Sequence, residues 1–229
     1  MQLSSVVAIF ERLNSANVRY LVVGGLAVVA HGHARFTADV DLVLDMSSKN
    51  LDCALRIFGE LGYAPRAPVP LRLFADPGAR EGWIRDKGLT VFSLWSAEHP
   101  TTEIDLFVSS PFADFDAAYT RVAWRRIAPD VDASFVSLND LVALKRAAAR
   151  PQDLLDVERL LELGNDVSGD RVRETEGEWE IGWDGHARAQ QTRFATLPLS
   201  EKIRWLEEAQ RLAEQLKAAT PLPSPAADR

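Results

Sequence analysis

Asp39 and Asp41 are the residues whose type and spacing most clearly suggest chemistry in this chain. They open an apolar run that continues to Leu44 and is typical of a β-strand. Side chains two positions apart on a strand point to the same face, and a buried carboxylate needs a cation or a metal ion as a partner. The pair therefore predicts a Mg²⁺ site, because Mg²⁺ prefers carboxylate oxygens together with substrate phosphates. The alternative is an exposed pair at the entry of a strand.

A glycine pair, Gly24 and Gly25, precedes these aspartates by about a dozen residues. It ends the apolar run that begins at Tyr20, and a short helix is predicted to follow it from about Leu26 to Ala30. Glycine lets the backbone approach a ligand closely, and the free N–H groups at the start of a helix attract anions. The turn is therefore predicted to bind the phosphates of a nucleotide beside the metal.

Asp105 is the candidate for a third carboxylate at this site. It lies in a second alternating strand, Glu103–Val108, in which Glu103 and Asp105 share one face. Asp105 is next to the most apolar part, so it is predicted to be the buried ligand, and Glu103 is interpreted as structural or solvated. If the strand lies beside that of Asp39 and Asp41, Asp105 could also accept the proton of an attacking hydroxyl as a general base. The alternative is a solvated charge on an edge strand.

Together these motifs resemble the nucleotidyltransferases of the DNA polymerase beta superfamily, which carry a Gly-Gly or Gly-Ser turn, an Asp-x-Asp and a later strand aspartate. The closer resemblance is to AbiE-type (abortive infection) nucleotidyltransferase toxins. Their core is Arg-x-Thr/Ser-x-Asp-x-Asp, followed downstream by Leu-Lys and Arg-Pro-x-Asp-x-x-Asp. The residues that match these AbiE-type motifs are Arg35, Thr37, Asp39, Asp41, Leu144, Lys145, Arg150, Pro151, Asp153 and Asp156. The resemblance covers roughly residues 1–164.

The resemblance implies a role for each matching residue. The catalytic and metal-binding residues would be Asp39, Asp41 and Asp105. The nucleotide-binding residues would be Gly24, Gly25, Arg35, Thr37, Lys145, Arg150 and Asp153. Lys145 would contact phosphates, oriented by the acids of the following helix. The alternatives are that Lys145 is a lysine at the edge of an apolar helix stripe, and that Asp153 and Asp156 are acids favoured at a helix start.

The implied activity is Mg²⁺-dependent transfer of a nucleoside monophosphate from a nucleoside triphosphate (NTP), such as ATP, to an acceptor hydroxyl. By resemblance the acceptor is RNA, for instance a tRNA end, in a toxin–antitoxin or phage-defence setting. One alternative is a small-molecule acceptor such as a cationic aminoglycoside, which the formal net charge of −7 favours. Another is a non-enzymatic nucleotide-binding or interaction protein, against which the intact aspartates and glycines argue.

Composition narrows the class of protein. The 229 residues are 47% hydrophobic, which allows a sizeable core. The single cysteine, Cys53, excludes an internal disulfide. No apolar run is long enough for a membrane span, and no signal pattern opens the chain, so we expect a cytoplasmic protein without a membrane partner. Zinc is not expected, because His31 and His33 have no third ligand at suitable spacing nearby.

The acidic charge argues against broad nucleic-acid binding, but it leaves room for a local basic groove. Arg125 and Arg126, with Arg121 and Trp124 nearby, could form such a groove. The alternative is an edge strand, residues 121–127, whose exposed charges prevent edge-to-edge pairing.

The pattern of elements predicts an α/β (α+β) fold, namely a polymerase-beta-like mixed sheet flanked by helices with a C-terminal helical appendage. The segment Gly62–Gly82 is predicted to be mostly loop, with one short strand at Leu71–Phe74. The expected division is a nucleotidyltransferase domain (1–164), an acidic linker or arm containing tryptophans (165–198), an amphipathic helix (199–218) and a disordered tail (219–229). The apolar face of the helix must pack on its own domain, on a second copy as a homodimer, or on a partner such as a cognate antitoxin.

Overall fold

The computed structural model describes the backbone of residues 1–168 and 183–219 and the side chains of residues 1–163 and 190–216. The strands are β1 Tyr20–Val22, β2 Asp39–Leu44, β3 Tyr63–Pro65, β4 Val91–Ser96, β5 Glu103–Phe107, β6 Ala123–Ala128 and β7 Val131–Phe135. The helices are α1 Leu3–Ser15, α2 Gly24–Ala30, α3 Ser48–Glu60, α4 Pro77–Lys87, α5 Phe115–Thr120, α6 Leu138–Ala148, α7 Pro151–Ser168, α8 Trp183–Thr196 and α9 Leu199–Ala219.

The strands form one mixed sheet in the order β3-β4-β5-β2-β1-β7-β6. The central strand β2 is antiparallel to β1 and parallel to β5, and β1 is parallel to β7. All three residues of β1 are buried, so both faces of this strand are covered, as is usual for inner strands of α/β proteins. This sheet with flanking helices confirms the predicted fold class.

The segment Gly62–Gly82 differs from its predicted loop. It contains β3, and the predicted strand at Leu71–Phe74 is a 3₁₀ turn, Leu71–Ala75, so that prediction was wrong. Helix α4 then begins at Pro77, where the side chain of Asp76 accepts hydrogen bonds from the first backbone N–H groups. Pro77 therefore marks the first position of a helix, where proline is favoured, rather than a break in structure.

Helix α9 confirms the helix predicted near the C-terminus, and its first half packs on the rest of the domain. Leu199, Ile203 and Leu206 are buried and belong to the main hydrophobic core. The backbone N–H of Leu3 donates to a carboxylate of α9, Glu207. Helix α9 thus covers α1 and β6 with the apolar stripe of its first two turns.

The stretch predicted as a linker, 165–198, is only partly described. The end of α7 and the whole of α8, Trp183–Thr196, are helical rather than extended linker. Residues 169–182 of the predicted arm, and residues 220–229 of the predicted disordered tail, lie outside the described residues. None of the described helices has the length and apolar character needed to cross a membrane.

Candidate active site

Asp39 and Asp41 are the two carboxylates of β2, and they lie on the same partly exposed face of the strand. Val40 between them is fully buried. The parallel register of β2 with β5 places Asp41 opposite Asp105 and Asp39 opposite Glu103. The two strands are therefore adjacent, as the predicted site requires, and four carboxylates share one face at one end of the sheet.

Three of these carboxylates form an electrostatically uncompensated group. Among the described residues, neither Asp39, Asp41 nor Asp105 forms an ion pair, whereas Glu103 is bound by the guanidinium of Arg66. Burial, with repulsion from Asp105 and Asp39, raises the pKa of Asp41 to about 6. Burial and repulsion from Asp105 and Glu103 raise the pKa of Asp39. Such a group favours a bound cation.

A divalent cation fits this donor set by its chemistry. Carboxylate oxygens are the ligands that Mg²⁺ prefers, and it commonly takes one or two of them together with substrate phosphates. Within the part of the chain that the structure describes, no three His, Cys, Asp or Glu side chains are placed to hold a metal by themselves.

Helix α2 begins at Gly24, two residues before its predicted start, and its glycines make room for two side chains of the site. Gly24 has φ +62°, and a Cβ atom there would lie 1.9 Å from Oδ2 of Asp41. A Cβ on Gly25 would lie 2.5 Å from Oγ1 of Thr37. The backbone of Gly25 interacts favourably with the charged form of Asp41 and offsets part of the rise in its pKa that burial causes. The glycine pair therefore seats Asp41 and Thr37, and its predicted contact with phosphates stays a prediction.

A buried ionic network lies beside the carboxylates and contains four of the residues that the AbiE-type motifs match. The ammonium of Lys145 lies 2.8 Å from Asp153 and 2.7 Å from Asp156, and Arg35 lies 2.6 Å from Asp156. Lys145 is only 4% exposed, so the interpretation as a lysine reaching to solvent from a helix edge was wrong. The pKa of Asp41 is raised mainly by burial, and the positive charge of Lys145 offsets a small part of that rise.

The network joins α6 and α7 to the loop that leads into β2. Asp153 and Asp156 are thus more than acids at a helix start, because they hold Lys145 in place. Arg150, which the resemblance includes among the nucleotide-binding residues, is exposed. It forms no ion pair within the described residues.

Two features near the site were not predicted from the sequence. Arg66 follows β3, in the segment expected to be mostly loop, and its ion pair neutralises Glu103 and leaves Asp105 as the free carboxylate of β5. Phe36, which stands between the motif residues Arg35 and Thr37, is 52% exposed and lines a cleft of about 310 Å³. An aromatic residue placed inside a polar motif was the available signal for this exposed ring.

The two histidines have separate partners. His31 bonds through Nε2 to the backbone oxygen of Val136 at 2.8 Å, and Nδ1 of His33 is 3.1 Å from the amide of Gln191. No described group of side chains joins them in a metal site.

A mixed sheet of this order, with a glycine turn and an aspartate pair at one end, has the architecture of a nucleotidyltransferase. The chain belongs to the family described as "Nucleotidyltransferase of unknown function (DUF6036)", whose model matches residues 2–177. This assignment confirms the prediction of a nucleotidyltransferase, and the closer likeness to AbiE-type toxins stays a prediction. No curated protein matches the sequence.

A solved structure described as the lincosamide antibiotic adenylyltransferase LnuA, lincomycin-bound, is similar to this chain with a TM-score of 0.49 and 13% identity. The match covers 71% of this chain and 98% of that one.

Proposed function

We propose that this nucleotidyltransferase family member transfers a nucleoside monophosphate from an NTP to an acceptor hydroxyl in a metal-dependent reaction. The observation that carries the proposal is the register of β2 and β5, which places Asp41 opposite Asp105 on the face that also carries Asp39. In the transfer, the acceptor oxygen forms a bond to the α-phosphorus. The bond from that phosphorus to the bridging oxygen breaks, and pyrophosphate leaves.

Asp39 and Asp41 would hold Mg²⁺ together with phosphate oxygens of the NTP, and Asp105 would be a further ligand when the nucleotide is bound. When bound, the ion supplies positive charge against the triphosphate and the leaving pyrophosphate. The protein's own contribution is to fix the carboxylates: Gly24 makes room for Asp41, and the backbone of Gly25 favours its charged form.

Asp105 would take the proton of the acceptor hydroxyl as a general base. It suits this role because Arg66 occupies Glu103 two residues earlier, so that Asp105 keeps its carboxylate free among the described residues. Arg35, Thr37 and Lys145 would position the triphosphate. Lys145 is already held near Asp41 by the carboxylates of Asp153 and Asp156.

We propose RNA as the acceptor, on the resemblance of the motifs to AbiE-type toxins, in a toxin–antitoxin or phage-defence setting. A small cationic acceptor such as an aminoglycoside is the alternative, supported by the net charge of −7. The two acceptors differ in the product that carries the nucleotide.

The test is an incubation with each NTP labelled at the α-phosphate, Mg²⁺, and either total RNA or a panel of aminoglycosides. The proposal expects labelled RNA, whereas a labelled small product would select the alternative acceptor. The variant Asp39→Asn should give no product, and Glu103→Gln, which changes a neighbouring carboxylate already paired with Arg66, should keep the activity. Full activity of Asp39→Asn would contradict the assignment of the site.

A further inference from the structure

A second cleft, away from the carboxylates, is lined by basic side chains. It has a volume of about 390 Å³ and lies between the end of α2, strand β6 and the α8–α9 turn. Its lining includes His31, Arg125, Arg126 and Lys202 and, among the described residues, no acidic side chain. His31 and Gly24 stand at opposite ends of α2, whose seven residues span about 10 Å. The cleft is therefore a separate site.

Arg126 is the only one of these four that has an acidic partner among the described residues. It forms two hydrogen bonds to the carboxylate of Asp132, at 3.0 and 3.2 Å. Within the described residues, the guanidinium of Arg125 instead donates one hydrogen bond, 3.3 Å long, to the backbone oxygen of Trp124. Among the described residues, the charge of Arg126 is thus balanced by Asp132, whereas the charge of Arg125 has no acidic partner.

Lys202 is the most deeply placed cation of the cleft. The residue is 4% exposed, and its ammonium donates one hydrogen bond, 3.0 Å long, to the carbonyl oxygen of Ala195. That bond satisfies a carbonyl near the end of α8, which is a structural use of the side chain. An ammonium has three N–H donors, and no carboxylate of the described residues is paired with it. Burial and the charge of Arg125 lower the pKa of Lys202 to about 8.

His31 adds a donor that an anion can recruit. Its Nε2 atom must carry a hydrogen, because the atom 2.8 Å away is the carbonyl oxygen of Val136, which only accepts. The other ring nitrogen, Nδ1, is therefore the one that gains a proton when the ring becomes cationic. Burial, with the charges of Arg125 and Lys202, lowers the pKa of His31 and keeps the ring neutral without a ligand.

We propose that this cleft binds a phosphate group through Arg125, Lys202 and His31. Arg125 and Lys202 are donors without an acidic partner in the described residues, and His31 becomes a further donor when its Nδ1 gains a proton. A tetrahedral oxyanion accepts hydrogen bonds from several such donors at once. The cleft volume exceeds that of a phosphate, so it also admits the sugar of a nucleotide. The phosphate has two sources, namely a free phosphate ion or the backbone of an RNA strand whose end lies at the carboxylates. Binding of a free phosphate ion does not depend on the proposed catalysis, whereas the RNA source rests on the proposed function.

The test measures binding to the full chain without any NTP or Mg²⁺. The probes are inorganic phosphate and a short single-stranded RNA, titrated by calorimetry and followed by NMR of the His31 ring. Saturable binding is expected, and the pKa of His31 should rise with bound phosphate. Binding by phosphate alone identifies the free ion as the ligand, whereas binding at least tenfold tighter by RNA identifies the strand.

The variants decide whether the cleft is responsible. Arg125→Gln, an exposed position that should fold normally, and Lys202→Gln should each weaken binding about tenfold or more, since each removes a charge-assisted hydrogen bond to the anion. Arg126→Gln is the matched control, because Asp132 already compensates that charge, and it should change affinity less than about twofold. Equal weakening in all three variants would indicate a general surface potential and overturn the proposal. Absence of saturable binding of both probes would overturn it too.

Discussion

At the scale of single residues, Lys145 links the stability of the domain to its proposed chemistry. Its ammonium is shared by Asp153 and by Asp156, whose side chain is completely buried and also bound by Arg35. Buried carboxylates need such partners because their desolvation is unfavourable. The residue that the resemblance assigns to phosphate binding therefore also holds α6 against α7.

Replacing Lys145 should consequently affect folding as well as nucleotide binding. Lys145→Ala leaves two carboxylates with one remaining cation, and breaking a buried ion pair costs about 3–5 kcal/mol in the free energy of unfolding. Chemical denaturation measures this loss, and Arg146→Ala, at the exposed neighbouring position, should stay close to wild type. A wild-type unfolding midpoint for Lys145→Ala would mean that the network does not form.

The phosphate-binding role of Lys145 is separable from its structural one. The affinity of Lys145→Arg for a non-hydrolysable NTP, measured where the variant is folded, should fall less than that of Lys145→Ala, because a lysine binds phosphate mainly as a point charge. Equal affinity in the wild type and in Lys145→Ala would leave Lys145 with its structural role alone.

At the scale of elements, the turn between β1 and α2 depends on glycine for two reasons that can be separated. Gly24 has a left-handed φ, and any Cβ would collide with Asp41. Gly88 has a nearly identical φ of +60°, but nothing lies within 4 Å of its missing Cβ. It therefore provides a matched control for the conformational cost.

Gly88→Ala should lower the free energy of unfolding only by the cost of a left-handed backbone at a residue with a Cβ atom, about 1–2 kcal/mol. Gly24→Ala should lower the free energy of unfolding by more than that. It should also abolish nucleotidyl transfer, since Asp41 must move to relieve the collision. Thermal unfolding and a transfer assay on both variants measure the difference. Equal stability losses with activity intact in Gly24→Ala would show that the turn does not seat Asp41.

The contact between α9 and the domain predicts a dependence of stability on pH. The folded pKa of Lys202 is about 8, below its value of 10.5 in the unfolded chain. Between these values the unfolded chain holds a proton that the folded chain has released, so stability rises with pH in that window. Below about pH 8 the buried charge of Lys202 therefore destabilises the folded state by its full amount. Above about pH 10.5 the destabilisation disappears, because the lysine is neutral in both states.

The variant Lys202→Met removes this term. We expect Lys202→Met to raise the free energy of unfolding above that of wild type, and to raise it more at pH 7 than at pH 10. The buffers must be free of phosphate. Denaturant titrations at the two pH values give the difference. The same difference at both pH values would mean that the ammonium is not desolvated against α8.

The elements also show where sequence reasoning succeeds. The aspartates two apart on an apolar run, and the second strand with the same alternation, were enough to anticipate β2 and β5 and the face they share. The partners of Lys145 could not be anticipated with the same force, because Asp153 and Asp156 reach it only when α6 and α7 pack together. Likewise, Pro77 marks a helix start or a loop equally well until the cap by Asp76 is seen.

At the scale of the whole molecule, the question is whether the C-terminal helices belong to the domain. Ile203 is completely buried in the main core, whereas Leu212 on the same helix is 53% exposed. The first half of α9 is therefore part of the folding unit. The domain's own core covers the apolar stripe of α9 over those turns, so a second copy of the chain is not needed to bury it.

Ile203→Ala should accordingly lower the free energy of unfolding by about 2–5 kcal/mol, and Leu212→Ala should change it by less than about 0.5 kcal/mol. Truncation after Gly164 should give an insoluble or non-cooperatively unfolding product. A soluble truncated chain with an unchanged Tm would favour the alternatives in which the helix packs on a second copy or on a partner.

The most direct test of the central claim is transfer measured with NTP labelled at either the α- or the γ-phosphate, in the presence of Mg²⁺ and the acceptor identified above. The account predicts that the acceptor retains α-label only, that γ-label appears in pyrophosphate, and that chelation of Mg²⁺ stops the reaction. Asp105→Asn should lower turnover by about 10²–10⁴-fold, the usual contribution of a general base, while Glu103→Gln stays near wild type. Transfer of γ-label to the acceptor, or turnover by Asp105→Asn equal to that of Glu103→Gln, would contradict the account.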